Sequence, residues 1–263
     1  MIENTVIITA ENKERTISRT IKSCINQTNK NFEIIIAYSK LENEKQIKKK
    51  FKFKNIFFYK IKKKLKNKIH DQIYKIKKLT KISRGKNIFL LDGDDLFYKK
   101  KIETISMLLM SNNVMILDEY QLTFNKKKLI RRKKRYKDNL FFQKLINDWP
   151  KDVCTSAISI KKSLLLNFFT SIEFEKYNFL AIDILLAIYC NQRGKLLKIN
   201  QNLTYKVDTI NSIDKGFIGF FNKHYWLRRM EQHIYNMNIK KKNYLSLDLL
   251  ITYIICFFIK NTV

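Results

Sequence analysis

The sequence predicts an α/β protein, a doubly wound mixed sheet flanked by helices, with a helical C-terminal extension. Short apolar runs alternate with helical stretches over roughly the first hundred residues, the order typical of βαβ units. The chain has 263 residues, of which 45% are hydrophobic, enough to bury a full core. It contains only 5 glycines and 1 proline, which predicts short connections and much helix.

The first four strands are predicted from apolar, largely β-branched runs. Such runs are typical of strands that helices cover on both faces. Helices are predicted over residues 16–27 and 66–83, where apolar side chains recur at three- and four-residue steps, and a helical tendency over 40–55. Since buried strands joined by helices form a parallel sheet, this part predicts a nucleotide-binding half. The four runs are residues 5–9, 32–37, 56–59 and 87–91.

The fourth run ends in a cluster of carboxylates, Asp92-Gly93-Asp94-Asp95. Three like charges in four residues repel one another, and hard oxygen ligands of this kind suit Mg²⁺ or Mn²⁺. The position also fits a site, because open α/β sheets bind ligands at the carboxyl ends of their strands. The alternative is an acidic turn that caps the helix beginning near Tyr98.

The second half mixes strands and helices with less regular alternation. A helix over 178–192 is predicted to be mostly buried, and it carries Asp183 among apolar neighbours. The basic run 125–138 is either a polar loop or hairpin, or a contact for phosphate groups. The other predicted elements are a helix over 98–110, a short helix from Lys161 and strands over 114–117, 154–160, 196–199 and 203–205.

The C-terminal segment 245–259 is predicted to be a very hydrophobic helix. Asp248, Thr252, Cys256 and Lys260 follow at four-residue steps and form one weakly polar stripe. The segment is short for a membrane span, so the alternatives are packing on the protein or a second copy, and contact with a membrane surface.

Charge and cysteine content indicate which partners, which kinds of site and which compartment to expect. The formal charge of +30 would attract nucleic acid, anionic lipid or phosphorylated substrates, although A/T-rich codon usage would also enrich lysine. The 4 cysteines have no paired spacing, which argues against a zinc site or a disulfide framework and fits a reducing cytosol. The N-terminal sequence lacks the pattern of a signal peptide.

Several stretches resemble the motifs of the inverting nucleotide-sugar glycosyltransferases with the GT-A fold (family 2-like). Residues 17–36 are similar to the family pattern I-x-x-T-I-x-S-V-L-N-Q-T followed by N-F-E-I-I-V, and residues 85–95 resemble G-x-Y-I-x-F-L-D-x-D-D. The similarity continues through 155–164 and 194–205. It implies a GT-A domain over 1–212, whose nucleotide-sugar half (1–97) and acceptor half (98–212) precede a helical extension over 213–263.

The resemblance implies a metal-dependent transfer of a sugar, with inversion, from a nucleoside diphosphate sugar to a glycan or lipid-linked acceptor. Thr9, Ala10, Asn12, Asp92 and Asp94 would bind the donor. Asp94 and Asp95 would hold Mg²⁺ or Mn²⁺, which offsets charge on the leaving diphosphate. Asp183 would act as the base that accepts the proton of the attacking hydroxyl.

The chain departs from the family pattern at four places. Tyr38-Ser39 stands where the family usually carries an aspartate after the second strand, and Thr9-Ala10-Glu11 replaces Pro-Thr-Tyr. Lys75-Ile76-Lys77 replaces Ala-Arg-Asn. The acidic E-D-x-D motif appears as Leu180-Ala181-Ile182-Asp183, so the usual base falls on Ala181, and Glu173 and Glu175 are further candidates.

The expected partners follow from the donor chemistry and the charge. A UDP-sugar is the favoured donor, an anionic membrane surface and a second copy of the chain stay open, and nucleic acid is disfavoured. The expected location is the cytoplasm, peripheral on the cytoplasmic face of the inner membrane. The alternative function is a catalytically degenerate, basic protein that binds nucleic acid or anionic lipid.

Overall fold

The computed structural model describes residues 2–11, 16–62, 65–124, 128–130, 150, 153–207, 216–217 and 221–261. The strands are β1 (Asn4–Thr9), β2 (Phe32–Tyr38), β3 (Ile56–Lys60), β4 (Asn87–Asp92), β5 (Leu96–Phe97), β6 (Met115–Phe124), β7 (Lys128–Ile130), β8 (Ile158–Lys161) and β9 (Leu196–Val207). The helices are α1 (Ile17–Ile25), α2 (Glu44–Lys50), α3 (Lys68–Ile82), α4 (Lys101–Met110), α5 (Lys162–Ser171), α6 (Ile182–Asn191), α7 (Lys223–Lys240) and α8 (Leu247–Asn261). Two single 3₁₀ turns cover Thr155–Ala157 and Phe174–Lys176.

The strands of the described ranges form one mixed sheet, in the order β3-β2-β1-β4-β8-β6-β9-β5, with β7 paired to β6. The first four strands are parallel to their neighbours, and β8 then joins β4 in the antiparallel direction. The mixed α/β fold predicted from the alternation of strands and helices is therefore confirmed.

The core lies on both faces of the sheet, because neighbouring positions of a strand point to opposite sides. In β1, Ile7 packs with α3, α5 and α6, whereas Val6 and Ile8 pack with α1 and α4. In β4, Leu90 joins the first group and Leu91 the second. This double coverage explains why the parallel strands are continuous apolar runs rather than alternating ones.

The second half differs from the predicted elements in its boundaries. The strand expected over 114–117 continues to Phe124, and the pieces expected over 196–199 and 203–205 form one strand, β9, that pairs with β6. Both strands are partly exposed and carry polar residues, so the apolar pattern shows only part of each. The predicted strand over 154–160 is a 3₁₀ turn followed by β8.

Two helices follow the sheet. α8 packs against α7, through which the C-terminal segment meets the rest of the protein. In the described part of the chain, no helix combines the length and the apolar character needed to cross a membrane. The domain boundary at residue 212 stays a prediction, since residues 208–215 lie outside the described ranges.

Candidate active site

The candidate site lies between β1 and β4. β2 and β3 extend the sheet on one side of β1, and β4 lies on its other side, so the strand order reverses at this pair. Thr9 and Asp92, the last residues of the two strands, are register partners. Ligands of open α/β sheets bind at such switch points, beyond the carboxyl ends of the strands.

Thr9 and Asp92 are joined by hydrogen bonds. The Thr9 hydroxyl donates to Asp92 Oδ1 over 3.2 Å, and the side-chain amide of Gln72, on α3, donates to the same oxygen over 2.7 Å. Ala10 follows Thr9, is buried, and donates its N–H to the carbonyl of Ala37. Thr9, Ala10 and Asp92 therefore share the rim of the sheet, whereas Asn12 lies outside the described residues.

The acidic turn is held by its glycine. The N–H of Gly93 donates to the carbonyl of Thr9, and the Gly93 carbonyl accepts hydrogen bonds from the hydroxyls of Thr16 and Thr20. A Cβ atom at Gly93 would lie 3.1 Å from Cβ of Ala10 and from the Thr9 carbonyl oxygen. Because glycine allows this close approach, the turn packs directly on the loop after β1.

Asp94 and Asp95 are both buried. Asp95 accepts a hydrogen bond from the Ser156 hydroxyl (2.6 Å) and another from the backbone N–H of Val207 (2.8 Å). Burial, with the charge of Asp94 second, raises the pKa of Asp95 to about 7. The turn is therefore a place where negative charge is costly and where a cation would be favourable.

Ser156 connects the acidic turn to a buried charge pair. Its hydroxyl accepts from the N–H of Asp92 while it donates to Asp95, and its carbonyl accepts from the ammonium of Lys101 (2.7 Å). The Lys101 ammonium also lies 2.6 Å from Asp118 and 2.7 Å from the Thr204 hydroxyl. This group of side chains supports the turn from inside the protein.

Asp183 is buried in the first turn of α6 rather than in the middle of a helix. Its Oδ1 accepts from the N–H of Ile184 over 2.8 Å. The buried thiol of Cys154 has a pKa raised by burial first, then by the charges of Asp95, Asp92 and Asp183, against the charge of Lys206. Asp183 is therefore a buried carboxylate at the start of α6.

The other base candidates are less enclosed. Glu173 and Glu175 are both exposed, and Glu173 pairs with Lys176 over 2.8 Å. Ala181, at the usual position of the base, is the residue that precedes α6. The loop before it is fixed by Glu231 of α7, which accepts hydrogen bonds from the backbone N–H groups of Asn178 and Phe179.

The comparisons with known proteins agree with this architecture. A family model described as glycosyl transferase family 2 matches residues 5–168. The chain belongs to this family. The match confirms the predicted resemblance, and the family's enzyme class is the predicted one, nucleotide-sugar glycosyltransferase. A search of curated proteins with the sequence found no match.

Solved structures of TarS from S. aureus share the GT-A fold of this chain. The complex of TarS 1-349 with UDP aligns with a TM-score of 0.60 at 13% identity, over 90% of this chain and 66% of that one. The complex with UDP-GlcNAc aligns with a TM-score of 0.61 at 11% identity, over 90% and 67%. A longer TarS structure aligns at 12% identity, with a TM-score of 0.60, over 90% and 40%. The chain thus spans about two thirds of the shorter TarS structures, and identities this low show the fold alone.

Three of the departures from the family 2 pattern contact one another. The Glu11 carboxylate accepts from the backbone N–H of Ser39 (2.9 Å) and from the ammonium of Lys75 (2.8 Å), which also pairs with Asp71 (2.7 Å). Although partial burial opposes the shift, hydrogen bonds from Lys75 and from the N–H of Ser39 lower the pKa of Glu11. A carboxylate from the loop after β1 therefore stands beside the end of β2, where family 2 members usually carry their aspartate.

The residues of the acidic turn fit a divalent cation when a diphosphate is present. In the described ranges, no group of three or more His, Cys, Asp or Glu side chains is arranged to hold a metal on its own. Mg²⁺, however, is commonly bound by one or two carboxylates together with substrate phosphates. The buried carboxylates of Asp94 and Asp95 supply suitable oxygen ligands, and their mutual repulsion would be relieved by the cation.

Sequence patterns missed several residues around the turn. Gln72 lies on a helix face that periodicity describes only as amphipathic, and Ser156 belongs to a motif whose role is not visible from its spacing. Lys206, whose charge lowers the pKa of Asp95, follows a strand that was predicted to end at 205. Chain order gave no signal for these contacts, because sheet pairing brings the residues together.

Proposed function

We propose that this protein transfers a sugar, with inversion, from a nucleoside diphosphate sugar to a glycan or lipid-linked acceptor. The observation that carries the proposal is the grouping of Thr9, Asp92 and the buried acidic turn at the switch point of a family 2 domain. The structural neighbours whose titles name UDP and UDP-GlcNAc support a UDP-sugar as the donor.

In this proposal the donor lies across the ends of β1 and β4. Thr9, Ala10 and Asn12 border the nucleotide, and Asp92, held by Gln72 and Thr9, binds it directly. Asp94 and Asp95 hold Mg²⁺ or Mn²⁺. A bound divalent ion would neutralise charge that develops on the leaving diphosphate.

The acceptor enters from the side of α6. Asp183 accepts the proton of the acceptor hydroxyl while the hydroxyl oxygen forms a bond to the anomeric carbon. The bond between that carbon and the diphosphate oxygen breaks on the opposite face, so the anomeric configuration inverts. The buried position of Asp183 in the first turn of α6 supports this assignment.

Nucleotide and metal binding can be tested by thermal unfolding. UDP with Mn²⁺ should raise the melting temperature, and Asp94→Ala should abolish that rise. Glu119→Ala, which removes an exposed acid from β6, is the matched control and should keep it. A wild-type melt that UDP and Mn²⁺ leave unmoved would contradict the proposal, and duplex DNA binding with a steep salt dependence would then favour the basic binding protein.

The assignment of the base needs a separate readout. Asp183→Asn should lower kcat for sugar transfer or donor hydrolysis by about 10²-fold or more, the usual contribution of a general base. Its thermal response to UDP and Mn²⁺ should match the wild type. An unchanged kcat would remove Asp183 from this role, and product anomers assigned by NMR would test inversion.

The net charge supports our proposals for the acceptor and the location. A net charge of +30 suits an acceptor at an anionic surface, so we place the protein peripherally on the cytoplasmic face of the inner membrane.

A further inference from the structure

Helix α8 is amphipathic in the reverse sense of an ordinary surface helix. Its polar side faces the protein: Asp248, Thr252 and Cys256 are all buried against α7. Its outer side is apolar, since every exposed position between 247 and 258 carries an aliphatic or aromatic side chain. These residues are Leu247, Leu250, Ile251, Tyr253, Ile254, Phe257 and Phe258, and we call them the α8 outer face.

The inward orientation is fixed by polar contacts with α7. Arg229 donates from Nε to Asp248 Oδ1 over 2.8 Å, and His233 Nε2 lies 3.1 Å from the other carboxylate oxygen. The Cys256 thiol donates to the carbonyl of Trp226. Turning the apolar side inward would break this buried ion pair, so the helix holds its apolar side outward.

The α8 outer face is large for a surface helix. Leu247, Tyr253, Phe257 and Phe258 are each more than half exposed, with relative exposures of 63%, 61%, 55% and 62%. Leu245, just before the helix, is 85% exposed and extends the same surface. Contiguous apolar surface of this kind marks a contact with another protein or with a membrane.

Charge decides between these two occupants. Between residues 221 and 263 there are seven lysines and arginines and two acids, and both acids are engaged inside the protein, Glu231 by backbone N–H groups and Asp248 by Arg229. Lys240, Lys241 and Lys242 are exposed at the turn that leads into α8. Since basic residues outnumber acids in this segment, a second copy would bring like charge to this surface, whereas anionic headgroups would be attracted by it.

We propose that the α8 outer face docks on an anionic lipid bilayer, with the helix lying in the plane of the interface. The helix is about 22 Å long at 1.5 Å per residue, too short for a hydrocarbon core of about 30 Å. Its aliphatic and aromatic side chains enter the headgroup boundary, as in other interfacial helices, and the lysines beside it meet the headgroups. This inference deepens the proposed membrane location, and its test does not depend on sugar transfer.

The test is sedimentation of the full chain with vesicles. Wild-type protein should bind vesicles of phosphatidylglycerol and phosphatidylcholine, and bind pure phosphatidylcholine at least tenfold more weakly. The double variant Ile254→Glu with Phe258→Glu changes two exposed positions, so the fold should persist, and its partition onto the mixed vesicles should fall at least tenfold. The matched control, Ile82→Glu with Met107→Glu, adds the same charges at positions that are 50% and 60% exposed elsewhere and should bind within about twofold of the wild type.

Three outcomes would overturn the inference. The first is unchanged vesicle binding by the α8 variant, and the second is an equal loss in the control. The third is a dimeric wild type that becomes monomeric in the α8 variant in lipid-free buffer, which would assign the face to a second copy. A thermal response to UDP and Mn²⁺ in the α8 variant equal to that of the wild type separates a failure of docking from a failure of the nucleotide site.

Discussion

Replacing Lys101 by methionine should cost much of the stability of this protein. The Lys101 side chain is fully buried and bonds Asp118, Ser156 and Thr204 at 2.6 to 2.7 Å. Burial lowers the pKa of Lys101 and raises that of Asp118, because both charges have left water. Methionine fills a similar volume, so the main effect is on the Asp118 carboxylate. Among the described residues, it keeps only the Thr204 hydroxyl as a side-chain partner.

The magnitude follows from the loss of one partner of a buried pair. Such losses cost about 3–5 kcal/mol, against a total stability of about 5–15 kcal/mol for an ordinary domain. Urea unfolding in metal-free buffer should show this decrease in the free energy of unfolding. Lys99→Met, on an exposed lysine just before α4, should stay within about 0.5 kcal/mol of the wild type.

A double variant distinguishes the effect of breaking the buried charge pair from an effect of altered packing. Lys101→Met with Asp118→Leu removes both charges, and the Thr204 hydroxyl can then donate to the Ser156 carbonyl, which lies 3.2 Å away. Most of the lost stability should return, because a buried pair replaced by apolar residues is often neutral or stabilising. A Lys101→Met loss below about 1 kcal/mol, or a double variant less stable than the single one, would refute this reasoning.

Three further predictions concern other parts of the fold. Ser156→Ala should lose about 1–3 kcal/mol in urea unfolding and weaken the thermal response to UDP with Mn²⁺, whereas exposed Ser163→Ala should change neither. Gly85→Ala should destabilise by about 1–3 kcal/mol or more by the same assay, because a Cβ atom would lie 2.5 Å from the backbone of β1; wild-type stability would contradict the contact. Burial opposes ionisation of Asp248, but hydrogen bonds from α7 lower its pKa. The contribution of Asp248 to the free energy of unfolding should therefore be complete above about pH 4 and lost as pH falls through the lowered pKa. Unfolding curves between pH 2 and 5 should show this loss in the wild type and not in Asp248→Asn.

The first half of the fold was predictable because its strands are buried on both faces. Continuous apolar runs such as residues 87–91 identify such strands without knowledge of their neighbours. The long strands β6 and β9 were only partly predicted, since each is partly exposed and their pairing has register shifts near Asp118 and Glu119. Irregular pairing of this kind depends on the partner strand and leaves little trace in local sequence.

The position of Asp183 illustrates a long-range effect. The apolar pattern predicted one helix over 178–192, but α6 begins at Ile182. Glu231, far along the chain on α7, accepts the N–H groups of Asn178 and Phe179 and helps to hold the loop before this helix. Asp183 occupies the first turn of α6 rather than the middle of a helix.

The same helix, α7, connects the proposed lipid surface to the proposed acceptor side. Arg229 and His233 hold α8 through Asp248, and Glu231, between them in sequence, holds the loop that leads into α6. If α8 lies on a bilayer, α7 fixes the orientation of the α6 side relative to that surface. An acceptor linked to a lipid would then reach the site at a fixed distance from the membrane. Membrane docking would not increase transfer to a soluble acceptor. Loss of vesicle binding in the α8 variant should therefore reduce transfer to a lipid-linked acceptor in vesicles and leave slow hydrolysis of the donor unchanged.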